Sequence, residues 1–160
     1  MAGISDDLFT EKLAEMTQTL WNIASTQLRS HYDREDALQE AVTKAWGNRH
    51  KLRELRHMKT WVVRILINEC RNIQRKQGRE VVSNASTVET ADANGLPDIA
   101  LREALYVLDS KLRLPVVLCY VEGYTTAEAA KILRIPKGTL LWRLSKARGI
   151  LSETLNGKDK

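Results

Sequence analysis

The sequence predicts an all-α chain of two small helical domains joined by a flexible linker, the C-terminal one a helix-turn-helix domain. Three observations carry this. Apolar residues recur at helical spacing along most of the 160 residues, and strand-type alternation is nearly absent. One stretch, residues 81–97, breaks the pattern: it is rich in Ser, Ala, Thr, Asn and Asp and holds no Lys or Arg. Residues 125–148, TTAEAAKILRIPKGTLLWRLSKAR, then read as a short helix, a tight turn and a second amphipathic helix.

The elements follow in order. A first helix is expected over about residues 5–30, with Leu8, Leu13, Leu20, Trp21 and Leu28 on its buried side. A second starts near Asp33 or Arg34. It sets Ala37, Leu38, Ala41, Val42, Ala45 and Trp46 at helical spacing and stops at Gly47 and Asn48. A third spans about residues 57–76 through Trp61, Val62, Ile65, Leu66, Cys70 and Ile73, with Gly78 as its end. The linker occupies 78–97, between domains at 1–77 and 98–160. Beyond it, Leu101, Leu105 and Leu108 line one face of a helix, and residues 114–121 form the next, with Pro115 in its first turn. Gly123 ends that helix. Thr125 and Glu128 then make an S/T-x-x-E capping box for a short helix. Ile135-Pro136-Lys137-Gly138 turns the chain into a last helix, with Leu140, Leu144, Ala147 and Leu151 at i, i+4, i+7, i+11.

Composition narrows the function classes. With 43% hydrophobic and 28% charged residues, the chain is globular rather than disordered. Its net charge is +5, and its pI is about 9.3. Residues 1–77 carry +3, residues 78–97 carry −2 and residues 98–160 carry +4. Two basic domains favour a polyanion partner without proving one. Cys70 and Cys119 lie far apart in apolar surroundings and read as buried free thiols in a reducing cytoplasm. No metal-ligand spacing exists among the cysteines and His31, His50 and His57, so no metal or cofactor is expected. The first seven residues do not resemble a signal peptide. No apolar run approaches the ~20 residues of a membrane span, so no membrane insertion is expected and the predicted location is cytoplasmic. No phosphate loop or nucleophile constellation suggests an enzyme.

Three groups of residues carry candidate chemistry. In the last helix, with Leu140 at the centre of the buried stripe, ~100° per residue turns Trp142, Ser145, Lys146 and Gly149 outward. Lys137, Arg143, Lys146 and Arg148 occur in residues 137–148 without an acid, which suits phosphates. Ala130 supplies the small residue where the two helices cross, and Ile135 the apolar plug in the turn. An ordinary amphipathic helix pair with a solvated basic face is the plain alternative. The second group is residues 49–79, with ten Lys or Arg against Glu54 and Glu69, and with Trp61 and Asn68 interleaved. Such a surface can bind strands and stack on unpaired bases. Core packing for Trp61, and a solvated face for Arg64, Asn68 and Arg71, are equally good readings. The third group is Asp33, Glu35, Asp36, Gln39 and Glu40 on the second helix. It reads either as a docking face for a basic partner or as acids favoured by the helix dipole.

These pieces in this order resemble the extracytoplasmic-function (ECF) RNA polymerase sigma factors. Their D-x-E-D-x-x-Q-E-x-x-x-x-x-W block is matched by Asp33, Glu35, Asp36, Gln39, Glu40 and Trp46. Their W-L-x-R-I-x-x-N segment is matched by Trp61, Arg64, Ile65 and Asn68, with Arg75 behind. Their C-terminal pattern is matched by Leu114-Pro115, Leu118, Tyr120, Glu122-Gly123, Glu128, Ala130, Leu133, Ile135-Pro136, Gly138-Thr139, Arg143-Leu144 and Ala147-Arg148. The resemblance covers about residues 8–77 and 98–155. It implies an alternative sigma factor that binds core RNA polymerase, recognises promoter DNA, helps open it, and leaves the chemistry to polymerase.

The resemblance also implies a division of labour. Asp33, Asp36, Gln39 and Glu40 would dock on polymerase. Arg49, Lys51, Lys59, Trp61, Arg64, Asn68, Arg71 and Arg75 would hold the −10 element. Lys137, Thr139, Leu141, Trp142, Arg143, Ser145, Lys146 and Arg148 would contact the −35 element. An anti-sigma factor is an expected further partner. The chain departs from the family at Leu141 and Trp142, where a basic and a small polar residue are usual. It departs again at Arg134, in place of a common Gly, and at Arg113, in place of a second Pro or similar residue. Two other classes stay open: a helix-turn-helix regulator that binds duplex DNA without polymerase, and a helical interaction protein with no DNA role.

Overall fold

A computed structural model describes residues 3–79 and 99–158. The described residues are helical with no strand, and the chain divides into two compact units, Met1–Gly95 and Leu96–Lys160. The expected linker at 78–97 lies almost wholly outside the described residues.

The first unit opens with α1 (Asp6–Glu15) and α2 (Thr17–Gln27) rather than one helix over 5–30. Ser5 caps α1 by accepting from the Leu8 N–H at 3.2 Å. Met16 makes the break: its N–H bonds back three residues to the Leu13 carbonyl at 3.1 Å, a tightened turn. The break turns Leu13, Met16, Leu20 and Trp21 to one core. Leu8 is only half-buried, and Phe9 is the large residue that α1 buries.

Helix α3 (His31–Gly47) starts earlier than expected because Ser30 is its cap, accepting from Asp33 N–H at 3.4 Å. Its buried face is Arg34, Ala37, Ala41 and Ala45. Three alanines let α4 pack closely against it. Leu38 and Val42 are half-buried, and Trp46 stays 40% exposed. Two short 3₁₀ turns, Arg49–Lys51 and Leu55–His57, lead into α4 (Met58–Arg79).

Helix α4 buries Val62, Val63, Leu66, Ile67 and Cys70. It runs through Gly78 instead of ending there. A helical Gly costs only about 1 kcal/mol relative to Ala, and the last turns are tied down from the side. Gln74 donates to the Gln27 carbonyl at 2.7 Å, and Gln77 donates to the Asp33 carboxylate. Burial pushes the Cys70 thiol up to about 12, as suits an inert core sulfur. Cys119 in the second unit is only half-buried, a correction to the expectation of two buried thiols.

The second unit comprises α5 (Ile99–Tyr106), α6 (Ser110–Val116), α7 (Thr126–Leu133) and α8 (Lys137–Lys158). The expected stripe on α5 fails at Leu101, which is 40% exposed, while Arg102, Ala104, Leu105 and Leu108 are buried. The helix ends before Leu108, so helical spacing does not carry across to it. Helix α6 starts at Ser110, four residues before the expected start, because Asp109 caps it by accepting from Lys111 N–H at 3.1 Å. Pro115 therefore sits inside the helix, not in its first turn. Its missing N–H is followed by a widened π turn at Val117–Val121. Gly123, at φ +78°, ends the segment, and Tyr124 N–H closes back on the Leu118 carbonyl at 2.9 Å.

Candidate polymerase and nucleic-acid interfaces

In the first unit, α3, α4 and the 3₁₀ turn between them enclose an open groove of about 580 Å³. Five expected −10 residues line it: Lys51, Trp61, Asn68, Arg71 and Arg75. Trp61, Asn68 and Arg75 fall at i, i+7 and i+14, which is one side of α4. Trp61 is half-buried, and its ring meets Phe9 edge-on at 6.3 Å between centroids. Core packing and groove lining are thus properties of the same ring.

Arg49, Lys59 and Arg64 do not line the groove. Arg49 pairs with Asp6 at 2.8 Å and lies 3.8 Å over the Trp46 ring, so its charge is engaged within the unit. The Arg49 hydrogen bond holds the Asp6 carboxyl below its ordinary value. Lys59 is exposed in the first turn of α4, and Arg64 is half-buried on the flank of the groove side.

Five further lining residues were not among the expected site residues: Lys44, Asn48, Ile65, Glu69 and Asn72. Lys44 forms an ion pair with the buried Glu69 across the α3–α4 contact. That hydrogen bond pushes the Lys44 ammonium above its ordinary value. Lys44 stands four residues after Glu40, but nothing local in the sequence links it to Glu69, 25 residues on.

The acidic block separates into two parts. Asp33 is half-buried and accepts from Gln77. Asp36, Gln39 and Glu40 are exposed and share one face of α3 at i, i+3, i+4. Asp33 is the third residue of α3, where the helix dipole favours an acid. Asp36 is the sixth and Glu40 the tenth. The dipole's effect is confined to the first turn, so it does not account for these two.

In the second unit, Thr125 and Glu128 form the reciprocal capping box, at 3.1 and 3.0 Å. Ala130 is buried and Ile135 half-buried at the turn. Arg134 takes the left-handed conformation, φ 57° and ψ 46°, at the end of α7. Leu140, Leu144 and Ala147 are buried as the spacing predicts. Outward on α8 stand Trp142, 59% exposed, and Leu141, 47% exposed. Lys137, Ser145, Lys146 and Arg148 are exposed, whereas Thr139 and Arg143 are half-buried. The Lys146 ammonium lies 5.0 Å over the Trp142 ring. Arg148 donates to the Tyr120 hydroxyl, which ties α8 to the π turn.

Arg113 is buried, not exposed at the interface. Its Nε donates to the Leu105 carbonyl at 3.0 Å and its Nη2 to the Leu108 carbonyl at 2.6 Å, closing the end of α5. Among the described residues, no cluster of His, Cys, Asp or Glu could hold a metal ion.

Comparison with known proteins bears on both units. The family described as Sigma-70 region 2 matches residues 14–80, and that described as Sigma-70, region 4 matches residues 98–151. The ECF RNA polymerase sigma factor SigM of Mycobacterium tuberculosis is 28% identical over 139 residues, covering 85% of this chain and 71% of that protein. The ECF RNA polymerase sigma-E factor of Escherichia coli K12 is 26% identical over 174 residues, covering 91% of each. The sigma factor RpoE of Bartonella quintana, solved in complex with the anti-sigma factor NepR, superposes with a TM-score of 0.80. It is 28% identical, covering 92% of this chain and 96% of that one. The chain belongs to the ECF RNA polymerase sigma factor family.

Within this ECF sigma factor, the region 2 match takes in the acidic face of α3 and the groove beside α4. The region 4 match takes in the capping box, the turn and most of α8. A second solved structure, CnrH in complex with the cytosolic domain of CnrY, shares the fold at a TM-score of 0.73 and 22% identity. No helix among the described residues is long and apolar enough to cross a membrane.

Proposed function

We propose that this chain is an alternative sigma factor that binds core RNA polymerase, carries it to promoters and helps open the DNA. The unit at 1–77 supplies two surfaces. Asp36, Gln39 and Glu40 dock on a basic face of polymerase, with Asp33 holding the end of α4 in place behind them. The groove of Lys51, Trp61, Asn68, Arg71 and Arg75 takes the −10 element and holds an unstacked base against the Trp61 ring. Lys59 and Arg64 flank it, and Arg49 supports it through Trp46. The unit at 98–160 sets α8 in the major groove of the −35 element, with Lys137, Arg143, Lys146 and Arg148 toward phosphates. Polymerase performs all the chemistry, so the chain is not an enzyme. It works in the cytoplasm, where polymerase and genome are.

The observation that carries this reading is the groove. A simple duplex-binding regulator has no use for an aromatic and amide-lined basic cleft beside an acidic face that the helix dipole does not explain. An anti-sigma factor is the regulatory partner, in line with the solved relatives. The test is in vitro transcription with core polymerase and a panel of genomic promoters. Promoter-specific transcripts that require this chain are the expected result. Absence of any complex with core would leave the duplex-binding regulator as the better account.

A further inference from the structure

We infer that Trp142 and Leu141 make this factor a reader of thymine methyl groups in the −35 element. The inference rests on the reading of α8 as the recognition helix. Three observations support it. Trp142 is exposed on the side of α8 opposite Leu140, beside the short Ser145, and Leu141 is exposed on the adjoining flank, so the two form one apolar patch. A Trp so exposed invites association unless a partner covers it. Around that patch lie Lys137, Arg143, Lys146 and Arg148, and residues 137–148 hold no acid. An apolar centre inside an acid-free cationic rim fits a major groove, where phosphates flank the base edges.

The Lys146 ammonium over the Trp142 ring supplies the third. It covers one face of the indole and holds its orientation, so the ring arrives at the groove already set. It also leaves a cation within reach of the adjoining backbone. Gly138 occupies the outward side one turn earlier, with open space where a side chain would stand. Nothing there holds the helix start away from the bases.

Base recognition then differs in kind from hydrogen-bonded readout. The thymine 5-methyl is the one apolar group on the major-groove edge of a base pair. A Trp ring and a Leu isobutyl group can bury it, and neither can make the bidentate contact that selects guanine or adenine. The indole N–H adds a single donor and the Ser145 hydroxyl a second, weaker choice. The factor is therefore expected to prefer thymines on one strand of its −35 element.

The experiment removes the methyl from the DNA. Holoenzyme selects its preferred −35 sequence from a randomised pool. Each thymine is then replaced in turn by deoxyuridine, which pairs identically but lacks the methyl. Affinity is expected to fall roughly three- to tenfold at one or two positions. With Trp142→Ala that methyl dependence disappears, and with Trp142→Phe it is largely kept. Lys146→Ala weakens all sequences and lowers the salt slope, and it also reduces the methyl dependence because the ring is no longer held.

Deoxyuridine without effect at every thymine overturns the inference, as does a preferred element that lacks thymine. So does a Trp142→Ala holoenzyme with unchanged methyl dependence. If that variant keeps promoter choice but escapes an anti-sigma protein, the ring belongs to a protein contact instead. Holoenzyme that selects no duplex at all overturns the promoter-binding reading itself, a distinct failure.

Discussion

Reversing the charge of Asp36 and Glu40 together tests the polymerase-docking face most directly. Both carboxylates are exposed, one helical turn apart on α3. An exposed ion pair contributes about 0.5–1 kcal/mol. Asp36→Arg with Glu40→Arg replaces two such attractions by repulsions of similar size. The expected loss in core affinity is about 2–4 kcal/mol, or roughly 30- to 1000-fold. The cost to the fold is small. Neither residue lies in the first turn, so no dipole stabilisation is lost. Glu40→Arg removes the attraction to Lys44 four residues on and sets a like charge there, costing about 0.4–1 kcal/mol in all. The better helix propensity of Arg over Asp offsets part of that. Lys44 keeps its partner Glu69, which is the larger influence on it. The assay is competition for core against labelled parent protein, with far-UV circular dichroism as the folding control. The difference should shrink as salt rises, because both charges are solvent-screened. Core affinity within twofold of the parent, with helicity intact, would refute the docking role.

Three further outcomes are expected. Ala at both Arg64 and Arg71 slows open-complex formation more than initial −35 binding, read by permanganate reactivity of the melted bases; equal opening rates would count against the groove. Arg134→Gly relieves a left-handed residue, which costs about 1–2 kcal/mol, but adds about 0.4–1 kcal/mol of unfolded-chain entropy. Slower hydrogen exchange in α7 and α8 should report the net gain of about 0.5–1 kcal/mol, and unchanged exchange would show that Arg134 is not strained. Arg113→Met removes two charge-assisted donors and should weaken the second unit by about 2–4 kcal/mol. Faster exchange in α5 and α6 is the readout, and an effect below about 1 kcal/mol would mean those carbonyls do not depend on Arg113.

What was legible in the sequence was whatever a short window decides. The capping box at Thr125 and Glu128, the stop at Gly123 and the buried stripe of Leu140, Leu144 and Ala147 all depend on neighbours within a few turns. The outward placement of Trp142 followed from the same periodicity. The misreadings share the opposite property. Gly78 does not end α4, because Gln74 and Gln77 are anchored to residues 47 and 44 positions away. Pro115 looked like a first-turn proline because Asp109, the true cap, is six residues upstream. Met16 carries no breaker signal, and only the resulting core shows why the chain turns there. Among the candidate site residues, Trp61, Asn68, Arg71 and Arg75 on α4 were readable from the sequence, whereas Asn72 on the same helix was not singled out and Arg64 falls outside the groove. Lys44 and Asn48 come from another helix, and no pattern within one helix could have joined them to it.

The arginines show why net charge is a poor map of this protein's interfaces. Arg34 and Arg113 count fully toward the +5, yet both are buried and serve helix ends. Arg34 donates to the Leu28 carbonyl at 2.7 Å just after α2, as Arg113 does to Leu105 and Leu108 after α5. Each unit thus uses one guanidinium to close a helix terminus that its backbone leaves open. Arg49 answers Asp6, and Lys44 answers Glu69. Among the described residues, the groove keeps Lys51, Arg71 and Arg75 with no ion pair, and α8 keeps Lys137 and Arg143. Each phosphate neutralised adds about 0.9 to the salt slope on duplex DNA. That slope counts cations facing phosphates, so α8 alone should set most of it for the −35 duplex. On the proposed reading the groove cations act later, on strands that have already come apart, and should add little to that duplex slope.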